Sequence, residues 1–269
     1  SRPSGRVGLR ADIRIGGHYI DGDSGSNTLA YNFAPESGGD MIIDTGNTSF
    51  FGRTTLDSIN LRNVVEHEHC HGLGLSHVCP INETKLMEPF ISRRFRGLQL
   101  DDIFSLNRLY GDYYEKVHRD RDNDSPENAT VLPISVGETF KRDSLSIDDN
   151  SDIDFYQLET LPAGTPITVK VTPVATPPDF VEGPQNSDGS CSAESNFDFT
   201  KIHDLEIKII ASDGRTVLSQ ANSQPIGMPE EIIAFELPSS SDYYIHVAGD
   251  SANNTQLYTL EAGLSIPPS

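Results

Sequence analysis

The chain is short of basic residues, of cysteine and of long apolar runs. Lysine and arginine total 20 against 40 aspartates and glutamates, a formal net charge of −20 over 269 residues. That excess repels phosphate backbones and argues against nucleic acid as a partner. It suits solubility outside the cell and divalent cations, and a merely solvated acidic surface accounts for it equally well. No stretch approaches ~18 consecutive apolar residues, so no membrane-spanning helix is expected. No signal peptide is visible at the start, as in a processed chain. Cysteine is confined to Cys70, Cys79 and Cys191, too few for a disulfide scaffold. Cys70 and Cys79 are close in sequence and form a candidate pair, with two buried thiols as the alternative. Cys191 sits in a Gly/Ser/Asp-rich loop that leaves its state open.

What is present supports two modest domains, with 36% hydrophobic residues to fill their cores. The composition changes near residue 120. The polar stretch 118–130 has no apolar periodicity and reads as a linker between domains at 1–117 and 131–269. Beyond it, alternating segments recur between turn signals: Ile167–Val171, Leu205–Ile210, Ile232–Leu237, Tyr243–Val247 and Leu257–Glu261. Asp213-Gly214 between two of these runs is a hairpin signal. No helix is expected there, and the pattern is that of an all-β sandwich. The first domain reads as α+β. Ala11–Ile15, Thr28–Phe33 and Asp40–Asp44 are expected strands, and helices are expected over about 56–72, with Asp57 or Ser58 as cap, and about 100–110.

Four of the eight histidines fall within residues 67–77, in the run His67-Glu68-His69-Cys70-His71-Gly72-Leu73-Gly74-Leu75-Ser76-His77. Residues four apart share a helix face, so His67 and His71 reach one ion. Gly74 lets the backbone leave the helix with positive φ and brings His77 round as a third ligand. Three imidazoles suit Zn²⁺ and leave a position for water, and Glu68 beside the first ligand is the candidate general base. The alternative, a helix with satisfied core histidines, does not explain three at ligand spacing with a glutamate in register. His69 points about 200° away from His67 and is not expected to ligate. His18, His118, His203 and His246 are isolated and read as structural.

This run fits H-E-x-x-H-x-x-G-x-x-H at every fixed position and resembles the zinc site of the metzincin peptidases, matrixins most closely. Leu86-Met87-Glu88-Pro89, with Met87 ten residues after His77, looks like the Met-turn. The segment 98–111, with paired Asp101 and Asp102, is similar to the matrixin C-terminal helix, and Ala11–Ile13 with Asn27–Pro35 is similar to the matrixin sheet. The resemblance covers about residues 8–111. It implies peptide-bond hydrolysis by one catalytic zinc, with substrate along the edge strand Leu29, Ala30, Tyr31, Asn32 and Phe33. It also implies a specificity pocket walled by Val65, Met87 and the loop from Phe90 to Leu98. The arginines of that loop raise an acidic-substrate preference against plain solvation. Tyr31 and Ile42 stand where matrixins carry histidines for a structural zinc, so none is expected. A calcium site is expected at Asp23 and Asp44, with the carbonyls of Ser24 and Ser26, weakened by Asn47 at an acidic position.

The second half resembles the prepeptidase C-terminal domain that follows many secreted bacterial peptidases, through Asp124–Thr130, Ser151–Tyr156 and Ala163-Gly-Thr. Together the two resemblances imply a secreted, extracellular, monomeric zinc endopeptidase acting on protein or peptide. The competing reading is an extracellular binding or adhesion protein with a vestigial metal site.

Overall fold

The computed structural model describes residues 13–23, 28–116, 122–178, 180–250 and 253–267. The chain forms two compact units, Ser1–Leu106 with Val181–Asn196, and Asn107–Phe180 with Phe197–Ser269. No helix of the described residues is long and apolar enough to cross a membrane.

In the first unit, β1 (Ile15–His18), β2 (Ala30–Asn32) and β3 (Met41–Asp44) form a sheet in the order β1-β3-β2. β1 runs parallel and β2 antiparallel to β3, which leaves β2 at an edge of the sheet. The strand expected from Ala11 starts only at Ile15, because Arg14 turns onto Asp40: its amide and Nε each donate to that carboxylate at 3.0 Å. Ala11 and Asp12 lie outside the described residues. After the short α1 (Thr48–Phe51) comes α2 (Thr55–Gly72), which packs against β2 and β3. Its first turn is irregular, with Leu56, Asp57 and Ser58 at φ 53° to 57°. No side-chain cap hydrogen bond forms there, so the expected cap is absent; the Asp57 carboxylate instead accepts from Arg96 at 2.8 Å. β4 (Val78–Cys79) follows, and α3 (Leu100–Tyr110) lies at the residues expected.

The second unit opens with α4 (Tyr113–Lys116), then β5 (Thr130–Val131), β6 (Thr139–Ile147), β7 (Ile153–Leu161) and β8 (Pro166–Pro173). The chain then gives two strands to the first unit, β9 (Val181–Pro184) and β10 (Ser195–Asn196), before β11 (Glu206–Ala211), β12 (Val217–Ala221), β13 (Glu230–Glu236), β14 (Ser241–Ala248) and β15 (Gln256–Leu264). The sheets β12-β11-β14-β7-β5 and β13-β8-β15-β6 enclose one apolar core. Along β8, Ile167, Val169 and Val171 are fully buried while the residues between them are not, the period-two burial of a strand with one face inward. The Asp213-Gly214 turn does join β11 to β12, with Gly214 at φ 69° and the Asp213 carboxylate accepting from the amides of Arg215 and Thr216 at 2.9 and 2.8 Å.

Two boundaries differ from the expectation. Residues 122–130 are not a linker: Asn123 accepts from the amide of Phe155 at 2.8 Å and donates to Asp154 at 2.6 Å, and Thr130 pairs with Tyr156. Asn123 is buried and satisfies strand groups with both its carbonyl and its side chain, while Asp122, Glu127 and Asn128 stay exposed, a distinction that composition does not reveal. The segment Val181–Asn196, expected within the second domain, belongs to the first unit.

Candidate metal centre

Helix α2 sets the site. His67 and His71 lie one turn apart on it, and Gly74, at φ 99°, ends it as expected. The amides of Leu73 and Leu75 both donate to Cys70 O, at 3.1 and 2.9 Å, so the chain doubles back and delivers His77 to the other two rings. The Nε2 of His77 lies 3.2 Å from that of His67 and 3.1 Å from that of His71. The three rings are a group able to hold one metal ion, and His69 is outside it.

The outer nitrogens settle the proton positions. His67 Nδ1 faces Leu86 O at 2.7 Å, His71 Nδ1 faces Leu75 O at 2.8 Å, and His77 Nδ1 faces Gln185 Oε1 at 3.1 Å. The Gln185 amide is oriented by its own Nε2, which donates to Gly189 O at 3.1 Å. An oxygen acceptor at each Nδ1 places the ring proton there and leaves each Nε2 as a lone pair. Burial pushes His67 down to about 4, and burial with the neighbouring His71 lowers His77, so both rings are neutral near pH 7. Lone pairs converging this closely repel unless a cation lies between them. Tetrahedral zinc with bonds of about 2.0–2.1 Å spaces its ligand atoms about 3.3 Å apart, so the donor set fits zinc.

Glu68 follows His67 on α2 and is only 8% exposed. Burial pushes its carboxyl up to about 7, opposed by the backbone amide of Asn32 on β2. Met87 is buried against Cys70 and Leu86 beside α2, and its carbonyl accepts from the Val78 amide at 2.9 Å. A cavity of about 410 Å³ is lined by Leu75, His77, Met87, Asp102, Phe104 and Pro184 among others. A larger hollow of about 750 Å³ lies on the sandwich around Thr139 and Lys170. Val65 is half-buried on α2. Two of the loop's three arginines have acidic partners: Arg94 meets Glu83 at 2.6 Å and Arg96 meets Asp57 at 2.8 Å, while Arg93 lies over the Phe50 ring.

Two expectations fail here. The bridge between Cys70 and Cys79 is not formed: Cys79 is bonded to Cys191, and Cys70 is a buried free thiol on α2. Sequence proximity misled, because β4 pairs with β9 and so brings residue 191 to Cys79. Among the described residues, Asp23 and Asp44 do not come together as a calcium site either. The buried Asp44 carboxylate accepts from the amides of Ile20, Asp21, Gly22 and Gly46 and from Asn47 Nδ2, at 2.7 to 3.2 Å. Its oxygens are spent on N–H donors, which hold it well below the usual carboxylate range despite its burial. Asp23 is exposed and accepts from Ser49, while Ser24 and Ser26 lie outside the described residues.

Sequence reasoning missed three supporting residues. Gln185 is one, recognisable only once β9 is placed. Asn63 on α2 is another; it donates to Ser92 O and Phe95 O at 2.8 and 3.1 Å and ties the basic loop to the helix. Glu88 is the third. Fully buried, it gathers the amides of Asn82, Glu83, Thr84 and Lys85 at 2.8 to 3.0 Å, shaping the turn that presents Leu86 O to His67. An acid directly after Met87 was the signal available for it.

Residues 10–111 match the Matrixin family. Human matrix metalloproteinase-19 is 30% identical over 183 residues, covering 65% of this chain and 34% of the relative, so the chain spans about a third of that protein's length. Among solved structures, the Aeromonas hydrophila protein PliG, a periplasmic inhibitor of g-type lysozyme, is similar over 51% of this chain and 96% of its own at 15% identity, with a TM-score of 0.28. The capsid of Helicobacter pylori bacteriophage KHP30 is similar over 47% of this chain and 91% of its own, at 11% identity and a TM-score of 0.23. Neither structural likeness is close enough to bear on the fold or its use.

Proposed function

We propose that this chain is a zinc-dependent endopeptidase whose matrixin-like first unit hydrolyses peptide bonds. The observation that carries the reading is the convergence of three imidazole Nε2 atoms, each ring with its Nδ1 on an oxygen acceptor, with the buried Glu68 directly after His67 on the same helix. His67, His71 and His77 would hold the ion. Zinc in such a site lowers the pKa of a water and polarises the scissile carbonyl.

The protein's own contribution follows from its groups. Glu68, held near neutrality by burial, is matched to accept a proton from water and return it to the leaving amine. β2, at an edge of its sheet among the described residues, offers main-chain hydrogen bonds to an extended substrate in the manner of strand addition, which supports Leu29–Phe33 as the binding strand. The cavity beside His77 and Met87 is suited to one substrate side chain. A disulfide at Cys79–Cys191 supports an oxidising, extracellular setting, and we read the sandwich as an accessory module of the prepeptidase C-terminal kind on a monomeric enzyme.

Metal analysis and a cleavage assay test this. We expect about one zinc per chain and chelator-reversible cleavage of casein or a peptide library. Glu68→Gln keeps its zinc and loses about 10²–10⁴-fold in rate. A zinc-loaded protein that cleaves nothing in the library refutes the peptidase and leaves the binding-protein reading. Equal cleavage by Glu68→Gln removes Glu68 as the base.

A further inference from the structure

His67 and His71 orient themselves on backbone carbonyls close to their own helix, at Leu86 and Leu75. His77 depends instead on a side chain 108 residues away. That side chain stands on a segment that leaves the sandwich sequence and joins the first unit, Val181–Asn196. Three constraints hold it there. β9 pairs antiparallel with β4, matching Val78 to Pro184 and Cys79 to Gly183, so Gln185 follows directly on the strand beside His77. The Cys79–Cys191 bond closes the return limb onto the same strand. Gln185 and Cys191 form a further antiparallel bridge across the loop, and Asn186 donates to Ser190 O at 2.8 Å inside it. The Gln185 amide is itself clamped through Gly189 O, which turns Oε1 towards His77. Of the ordinary roles for such a hairpin, a plain surface staple would need no amide locked in this orientation.

We propose that Gln185 is a positioning residue for the third metal ligand, and that the disulfide-anchored hairpin 181–196 is the device that holds it in place. The proposal rests on the zinc-peptidase reading. Gln185 accepts the Nδ1 proton of His77, fixes the tautomer that turns Nε2 inward, and restrains rotation of a ring that sits outside the helix. The bridge at Cys79 acts through Gln185, so the site's affinity for zinc is coupled to an oxidised pair of cysteines far apart in sequence.

Zinc affinity of the full chain, measured by competition with a chromophoric chelator, tests this. The proteins are wild type, Gln185→Ala, Gln185→Glu, Cys191→Ser and the double variant Gln185→Ala/Cys191→Ser. We expect Gln185→Ala to weaken zinc binding about 10- to 100-fold, the usual effect of removing a partner of a ligating histidine. Gln185→Glu, which keeps an acceptor, should restore it. The double variant should bind no more weakly than Cys191→Ser alone, because both changes remove the same support. A residue that only stabilised the fold would lower the melting temperature and leave the zinc affinity unmoved. The half-buried Gln185 variants keep the test valid if Cys191→Ser fails to fold. Wild-type affinity in Gln185→Ala overturns the proposal, as do fully additive losses in the double variant. If wild type binds zinc and Gln185→Ala binds it equally, only this inference falls; if wild type binds none, the peptidase reading falls with it.

Discussion

The Nδ1 of His67 lies 2.7 Å from the carbonyl oxygen of Leu86, and that carbonyl is held where it is by Glu88, two residues on. The Glu88 carboxylate accepts two amides on each oxygen, from Asn82 and Glu83 on one and from Thr84 and Lys85 on the other. The turn therefore has a carboxyl group at its centre, and His67 is oriented by its rim.

Replacing Glu88 with Gln turns an amide group onto amide donors it cannot accept. We expect Glu88→Gln to cost about 1–3 kcal/mol of stability and to weaken zinc binding as the Leu86 carbonyl relaxes. Thermal unfolding with and without zinc checks both effects. An unchanged midpoint in each condition contradicts the role assigned to this carboxylate.

The cysteines give a chemical test of the fold. Burial, reinforced by the carboxylates of Asp102, Glu66 and Asp101, pushes the Cys70 thiol up to about 12, so almost none is thiolate at pH 8. A thiol reagent should find no reactive cysteine in the native protein, one after denaturation alone, and three after denaturation and reduction. With Cys70 bonded to Cys79 instead, the exposed Cys191 would react at once in the native state. Peptide mapping of the cross-linked fragment decides the partner.

In the sandwich unit, burial and the nearby charge of Glu115 push Asp152 up to about 9. Its folded value is above the ordinary 3.8, so the stability tied to its neutral form is complete below about pH 4 and declines as pH rises towards about 9. Asp152→Asn should flatten this decline. The variant should match wild type near pH 4 and exceed it by about 1–3 kcal/mol near pH 9, the range of a typical buried-charge substitution. Denaturant unfolding in the presence of chelator at the two pH values measures it, and an equal effect at both pH values would sink the assignment.

Neighbouring isoleucines on β13 test the two-sheet core. Ile232 is 5% exposed and belongs to the core, whereas Ile233 is 71% exposed. Ile232→Ala should cost about 2–5 kcal/mol and Ile233→Ala under about 0.5 kcal/mol. Comparable losses from both would mean that the strand does not present its faces as described.

The order of residues along the chain was enough to determine the local parts of this protein. Helical spacing puts His67 and His71 on one face, Gly74 supplies the positive φ that returns His77, and period-two runs such as Ile167–Val171 announce strands with one buried face. These features depend on interactions over a few residues, which sequence states directly. Tertiary structure alone decided the rest. It chose Cys191 over Cys70 as the partner of Cys79, turned the polar stretch 122–130 into part of the second unit, and filled the Asp44 carboxylate with amides in place of a cation. It also brought Gln185 to His77 across 108 residues. Each of those outcomes depends on which strands pair over long separations, and a hydrogen-bonding group does not carry in its own neighbours the identity of a partner that only the paired sheet supplies.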